Sequence, residues 1–217
     1  VTVPGRAILS DGVHEAVTSL IMDGHIAPAS RVNMDQLARA LQVSATPLRE
    51  AMARLESEGL VTKERLRGYT TTPLLTRKEF DDLYEFRLLV EPALAAAAAR
   101  NADAADRREL AAELECCPDS PGGADYATYR ALFEHDVRLH DLVARIAGNE
   151  AARRSLQRLH PHVHAFRRHA GNRSGDRTRA EHSTLVAALS RGDPDAAAAA
   201  MRSHLRTARR RLPVFAD

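Results

Sequence analysis

Apolar residues recur along this chain at intervals of three and four positions, with a different rhythm before and after about residue 75. In the first stretch Ile8 or Leu9 is followed by Val13, Val17, Leu20 and Ile21, the spacing of one buried helix face. After a loop at Pro28, the run from Met34 to Leu41 predicts a short second helix that buries Leu37, Ala38 and Leu41. Gln42-Val43-Ser44 then makes a tight turn, with Ser44 suited to cap a third helix. Pro47 falls in the first turn of that helix, where its missing N–H is not needed. Leu48, Ala51, Met52 and Leu55 supply the helix's inner stripe, and Gly59 ends it. Leu60 to Glu64 and Tyr69 to Thr72 read as two short strands around Arg67-Gly68. Helix, helix, tight turn, helix and hairpin predict a winged helix-turn-helix over residues 1–75.

From Arg77 the pattern becomes a series of Ala-rich amphipathic helices, predicted at about 77–100, 103–115, 125–147, 149–170, 178–191 and 195–211. Breaks fall at the Pro/Gly-rich run from Pro118 to Gly123, at Gly148-Asn149, between Gly171 and Gly175, and at Gly192-Asp193-Pro194. No strand signal follows Thr72. The chain is therefore expected to be mainly α, with an N-terminal winged helix-turn-helix and a C-terminal all-helical bundle over 76–217.

Composition supports packed helices. Hydrophobic residues make up 44% but aromatics only 4%, with no Trp, so Ala, Leu and Val must fill the cores. Lys and Arg number 31 against 29 acidic residues, so any contact with nucleic acid must come from a local patch. Cys116 and Cys117 stand beside the Pro/Gly-rich loop without a second pair, which reads as reduced, incidental thiols. Neither a signal peptide nor a membrane span is evident, and a cytoplasmic protein is expected.

The chemistry of the first domain lies at the start of its third helix. The N-terminal turn of a recognition helix enters the major groove. Here it offers Ser44, Ala45, Thr46 and Arg49, and Arg49 lies off the apolar stripe. An Arg fork can grip a guanine edge or a phosphate, and Ser44 and Thr46 suit phosphates. The hairpin adds Lys63, Arg65 and Arg67, with Gly68 letting the backbone turn close to a strand. Taken singly, Arg49 and its neighbours read equally well as solvated surface. The stretch from Ala38 to Val61, ALQVSATPLREAMARLESEGLV at its centre, resembles the signature of GntR-type regulators, and the likeness runs through Arg67-Gly68. That resemblance implies operator contacts at Ser44, Thr46, Arg49 and the wing residues Arg65, Arg67 and Gly68. Two departures from the family pattern, Ala45 and Asp35 in place of Arg, bear on which bases are read.

The second domain carries ligand-type side chains in its apolar stripes. Asp136 and His140 share a face with Tyr129, Leu132, Phe133, Val137 and Val143. His182 continues the stripe of Leu185, Val186 and Leu189, and His204 sits between Met201 and Leu205. One buried His is usually a hydrogen-bonded core residue. A buried carboxylate with three imidazoles on three helices instead suits a divalent transition metal of the Zn, Ni or Mn class. Asp-x-x-x-His on one helix with one His from each of two later helices is similar to the FCD effector domain of the FadR branch of GntR regulators. The segment from Phe86 to Glu91 resembles that domain's opening helix, which implies that Arg87 meets a small carboxylate or sugar-acid effector. Read from its own residues, Arg87 could equally form an i, i+4 pair with Glu91 on the helix surface. The histidines at 160, 162 and 164 read as solvated, and the Arg-rich stretch from Arg153 to Arg179 as a charged helix exterior, with a second polyanion surface or one Arg helping to bind an anionic effector as the alternatives.

Three functions fit these features. The first is a homodimeric, ligand-responsive repressor whose two reading heads meet two half-sites of a double-stranded operator. The second is a metal-responsive regulator in which the ion is the signal. The third is a metallo-enzyme using the same Asp and His groups, against which stand the lack of a recognisable catalytic motif and the first domain.

Overall fold

The structure, a computed structural model, describes residues 4–118, 125–168 and 175–211, with side chains from Ser10 onward except that of Arg168. Most of the predicted breaks at Pro118–Gly123 and Gly171–Gly175, and the side chains of Ile8 and Leu9, lie outside the described residues. The chain divides into two compact units, Val1–Leu74 and Leu75–Asp217.

The first unit holds α1 (Pro4–Met22), α2 (Met34–Ala40), α3 (Ala45–Ser57), β1 (Val61–Glu64) and β2 (Gly68–Thr71). Its core joins Val13, Val17 and Ile21 of α1 to Leu48, Ala51, Met52 and Leu55 of α3, all buried. Two ion pairs at the rim, His14 with Glu58 and Arg54 with Asp11, fix the same two helices. Leu37 is the fully buried side chain of α2, whereas Ala38 and Leu41 are only half-buried, because a seven-residue helix presents little surface to the core. β1 and β2 pair antiparallel with Val61 opposite Thr71 and Lys63 opposite Tyr69. A third short segment joins through a bridge between Arg31 and Thr70. Thr71 is wholly buried and its hydroxyl donates to the Ala27 carbonyl at 2.6 Å while accepting from the Ser30 N–H at 3.0 Å, so no polar atom of that junction is left unmet. Gly68 begins β2 at φ +88 with nothing near its missing Cβ, so its role is backbone conformation and not space.

The second unit is helical throughout its described residues: α4 (Arg77–Asn101), α5 (Ala104–Glu115), α6 (Tyr126–Ala147), α7 (Glu150–Leu159), α8 (Pro161–Arg168), α9 (Gly175–Arg191) and α10 (Pro194–Arg210). Capping boxes start α4 at Thr76 with Glu79 and α5 at Asp103 with Asp106. α4 packs against α6 and α10, α9 against α10 and α5, and α6 against α8. Small Ala95, Ala98 and Ala99 let α4 approach Leu139, Val143, Leu185, Leu189 and Leu205 in one core. The single helix predicted over 149–170 is two. His160 adopts φ 44 before Pro161, which disfavours a right-handed helical residue ahead of it, so the chain turns there and α8 starts afresh. That turn sets His162 against α6.

Candidate functional site

Residues expected to read DNA occupy the outer face of the first unit. Pro47, Leu48, Ala51, Met52 and Leu55 take the buried side of α3, which leaves Ser44, Thr46 and Arg49 exposed. Ser44 stands at the N-cap with extended backbone, yet its side chain makes no capping hydrogen bond. Arg65, Arg67 and Gly68 are exposed in the hairpin, with Arg67 lying 3.5 Å from Glu64. Between the two Arg, Leu66 is almost fully exposed.

In the second unit four side chains from three helices converge on one buried point. Asp136 and His140 come from one face of α6, His182 from α9 and His204 from α10. All four are buried, and one ligand-type atom of each lies within 4.8 Å of the others. His140 Nε2 is 3.3 Å from His204 Nε2, and His182 Nε2 is 3.3 Å from Asp136 Oδ1. Metal–ligand bonds of about 2.0–2.2 Å put neighbouring donors roughly 3–3.6 Å apart, the scale of these separations.

Each ring is held from behind. His140 Nδ1 contacts Glu91 Oε2, and His204 Nδ1 contacts Glu181 Oε2 at 2.8 Å. His182 Nδ1 meets His135 Nε2 at 2.9 Å, and His135 Nδ1 in turn meets Glu113 Oε1 at 2.9 Å. His162 Nδ1 donates to Asp136 Oδ2 at 2.6 Å. Carboxylates only accept, so the network assigns the ring proton of each imidazole to the outer side. Burial pushes His140 down to about 3 and lowers His204 as well, which keeps both rings neutral. Burial opposes ionisation of Glu91, but the Arg87 guanidinium and the His140 ring together outweigh it and hold that carboxyl well below its usual range. Burial likewise opposes ionisation of Asp136, and the surrounding imidazoles, His162 foremost, hold it well below the ordinary value. Three Nε2 lone pairs and one carboxylate oxygen therefore face one another with no proton between them. Such a cluster of acceptors is repulsive until a cation enters.

Arg87 is itself buried, in a pair with Glu91 at 2.5 Å, so the surface pairing considered from sequence becomes an interior one. Its Cζ lies 5.1 Å from the Tyr84 ring centre. Its Nη2 is buried and has no hydrogen-bond partner among the described residues. An unmet buried donor costs about 1–3 kcal/mol and is an invitation to an anionic ligand.

Sequence reading did not assign several of these groups. His162 is not a solvated histidine: it is largely buried against Asp136, an outcome of the turn at His160. Arg167 is buried too, a departure from the charged exterior expected there. Cys117 lies in the turn just beyond α5 and is buried, while Cys116 is exposed; neither is in a disulfide. His135 was legible in principle, since it heads a buried i, i+4, i+7 row with Leu139 and Leu142.

A tight helix-turn-helix with an exposed third helix and a hairpin wing, in a chain whose second unit is a helical bundle, defines the class of winged-helix DNA-binding regulators. Comparison with known proteins gives the family. Residues 9–70 match the bacterial regulatory proteins of the gntR family, and residues 82–207 match the FCD domain. The chain belongs to the gntR family and carries an FCD domain; it is a DNA-binding transcriptional regulator and not an enzyme. YdhC, an HTH-type transcriptional regulator of Bacillus subtilis (strain 168), is 24% identical over 186 residues, 85% of this chain and 82% of the relative. The HTH-type transcriptional repressor GlaR of Escherichia coli (strain K12) is 27% identical over 202 residues, 86% of this chain and 88% of the relative. The solved structure of E. coli McbR/YncC superposes with a TM-score of 0.66 at 17% identity, covering 92% of this chain and 94% of that one, a likeness of fold. No described helix is long and apolar enough to cross a membrane.

Proposed function

We propose that this regulator is a homodimeric repressor whose helical unit holds a divalent transition metal of the Zn, Ni or Mn class and, on it, a small carboxylate or sugar acid. Asp136, His140, His182 and His204 would hold the ion, which would supply a Lewis-acidic anchor for the effector's oxygen. Arg87 would take the effector's carboxylate through its unpaired Nη2. Ser44, Thr46, Arg49, Arg65, Arg67 and Gly68 would meet the operator, the first three in the major groove and the wing along the backbone.

The observation that carries this reading is the cluster of facing acceptors, each with its proton committed to a partner behind it. A merely structural histidine cluster would place a proton between His140 and His204. The unpaired Arg87 Nη2 favours an organic acid over the ion alone as the signal. Repression is in keeping with the name of the E. coli relative GlaR.

Two variants test it. His182→Ala should lower the metal content of protein purified without chelator, and abolish the effector's influence on operator affinity, while leaving salt-sensitive DNA binding intact. Arg49→Ala should do the reverse, weakening operator binding by about tenfold or more. Operator titrations by fluorescence anisotropy and elemental analysis check both. Equal loss of both activities in either variant would sink the division of labour.

A further inference from the structure

Behind His182, on the side away from the four-residue cluster, lies a second group of ligand-type side chains. Cys117 Sγ, a ring nitrogen of His135 and a ring nitrogen of His182 all lie within 4.8 Å of one another, and all three residues are buried. The turn after α5 and two helices, α6 and α9, build the group. Arg179, one turn before His182 on α9, donates to the Cys117 carbonyl at 3.2 Å and so fixes the end of α5 against α9. His135 comes from α6, with Glu113 behind its Nδ1 and Arg138 holding the other oxygen of that carboxylate at 3.0 Å. A thiolate and two imidazoles with an outer-sphere carboxylate form a donor set suited to a soft divalent ion.

We infer that Cys117, His135 and the Nδ1 side of His182 form a second site, for a thiophilic divalent cation, and that filling it withdraws His182 from the first site. The second half of this inference rests on the metal centre proposed above; the first half does not. A neutral imidazole has one N–H and one lone pair, so His182 can serve one ion at a time. In the present arrangement its proton is on Nδ1, shared with His135 Nε2, and its lone pair at Nε2 faces Asp136. When a cation enters the second site, Cys117 gives up its thiol proton to solvent and binds as thiolate. His135 Nε2 and His182 Nδ1 bind through their lone pairs, and the proton formerly on His182 Nδ1 is carried by Nε2. There it can donate to Asp136 Oδ1, already 3.3 Å away, so two ligands of the first site become engaged with each other. Thiophilic and harder cations thus compete for one imidazole without sharing a site.

The test uses the full chain, freed of metal by chelation, with cadmium(II) chloride as probe. One equivalent should produce the ultraviolet thiolate-to-cadmium charge-transfer band and a cadmium-113 resonance in the range of sulfur-containing sites. Both should persist in Cys116→Ser and vanish in Cys117→Ser. The resonance of the unmutated protein needs no variant, so a folding defect in Cys117→Ser leaves the result readable. For the coupling, protein is first loaded with manganese(II), and one equivalent of cadmium(II) is added. Paramagnetic resonance of the released ion should show about tenfold more manganese set free from the unmutated chain than from Cys117→Ser. No thiolate band, or a band that follows Cys116, overturns the second site; equal manganese release overturns the coupling. A chain that binds no manganese(II) overturns the metal centre and the coupling with it, while the cadmium band still decides the thiolate site.

Discussion

Glu91 is the residue on which the interior of the helical unit turns. Its two carboxylate oxygens separate a guanidinium from an imidazole, Arg87 on one side and His140 on the other, all buried. Replacing it by Gln, of nearly equal volume, leaves the Arg87 charge without its counter-ion. Removing one partner of a buried pair costs about 3–5 kcal/mol, and that is the loss expected for Glu91→Gln in urea unfolding. A loss below about 1 kcal/mol would mean that water reaches Arg87. Single residues also show where sequence reading reaches its end. Asp136, His140, His182 and His204 were legible because each interrupts an apolar stripe, so that burial and polarity conflict at a visible position. Glu91 and Glu181 were not, since an acidic residue on a charged helix leaves no such conflict in the pattern. Their burial is a property of the neighbouring helices.

At the level of elements, α8 carries the clearest difference. Periodicity treats 149–170 as one amphipathic run, and Pro161 permits either a kink or a break. The positive φ of His160 decides for a break, and only three-dimensional packing could choose it. α8 consequently brings His162 to Asp136 and places His164 in a half-buried position. Burial, with Arg167 and His160 nearby, pushes His164 down to about 4. An unfolded chain protonates that ring near 6.5, so the folded state binds fewer protons between those values. Stability should therefore fall as pH drops from about 6.5 towards 4. With screening by its partial exposure, about 1 kcal/mol of the loss between pH 7 and pH 5 belongs to His164. His164→Gln should show a smaller drop in urea midpoint over that interval than the unmutated chain; identical slopes would show that the ring is solvated when folded. The winged element, by contrast, was legible nearly residue by residue. Turn chemistry at Pro47, Gly59 and Gly68 is local, and local rules survive without knowledge of the rest of the chain, although Ser44 takes the N-cap position without its side-chain bond.

Across the whole molecule, two units of different construction carry two kinds of chemistry. The first exposes its functional groups and buries an apolar face behind them; the second buries its functional groups and surrounds them with Ala-rich helices. Alanine permits the close approach of α4, α6, α9 and α10 that brings ligand-type atoms from separate helices within 4.8 Å of one another. The central claim is that these acceptors exist to hold a cation. X-ray absorption at the metal edge, on protein purified without chelator, tests it most directly. The expected result is one tightly held transition metal per chain with only nitrogen and oxygen neighbours at about 2.0–2.2 Å, including three imidazoles, one of which disappears in His182→Ala. A chain that carries no stoichiometric metal, or an ion whose imidazole signal is unchanged in that variant, would contradict it.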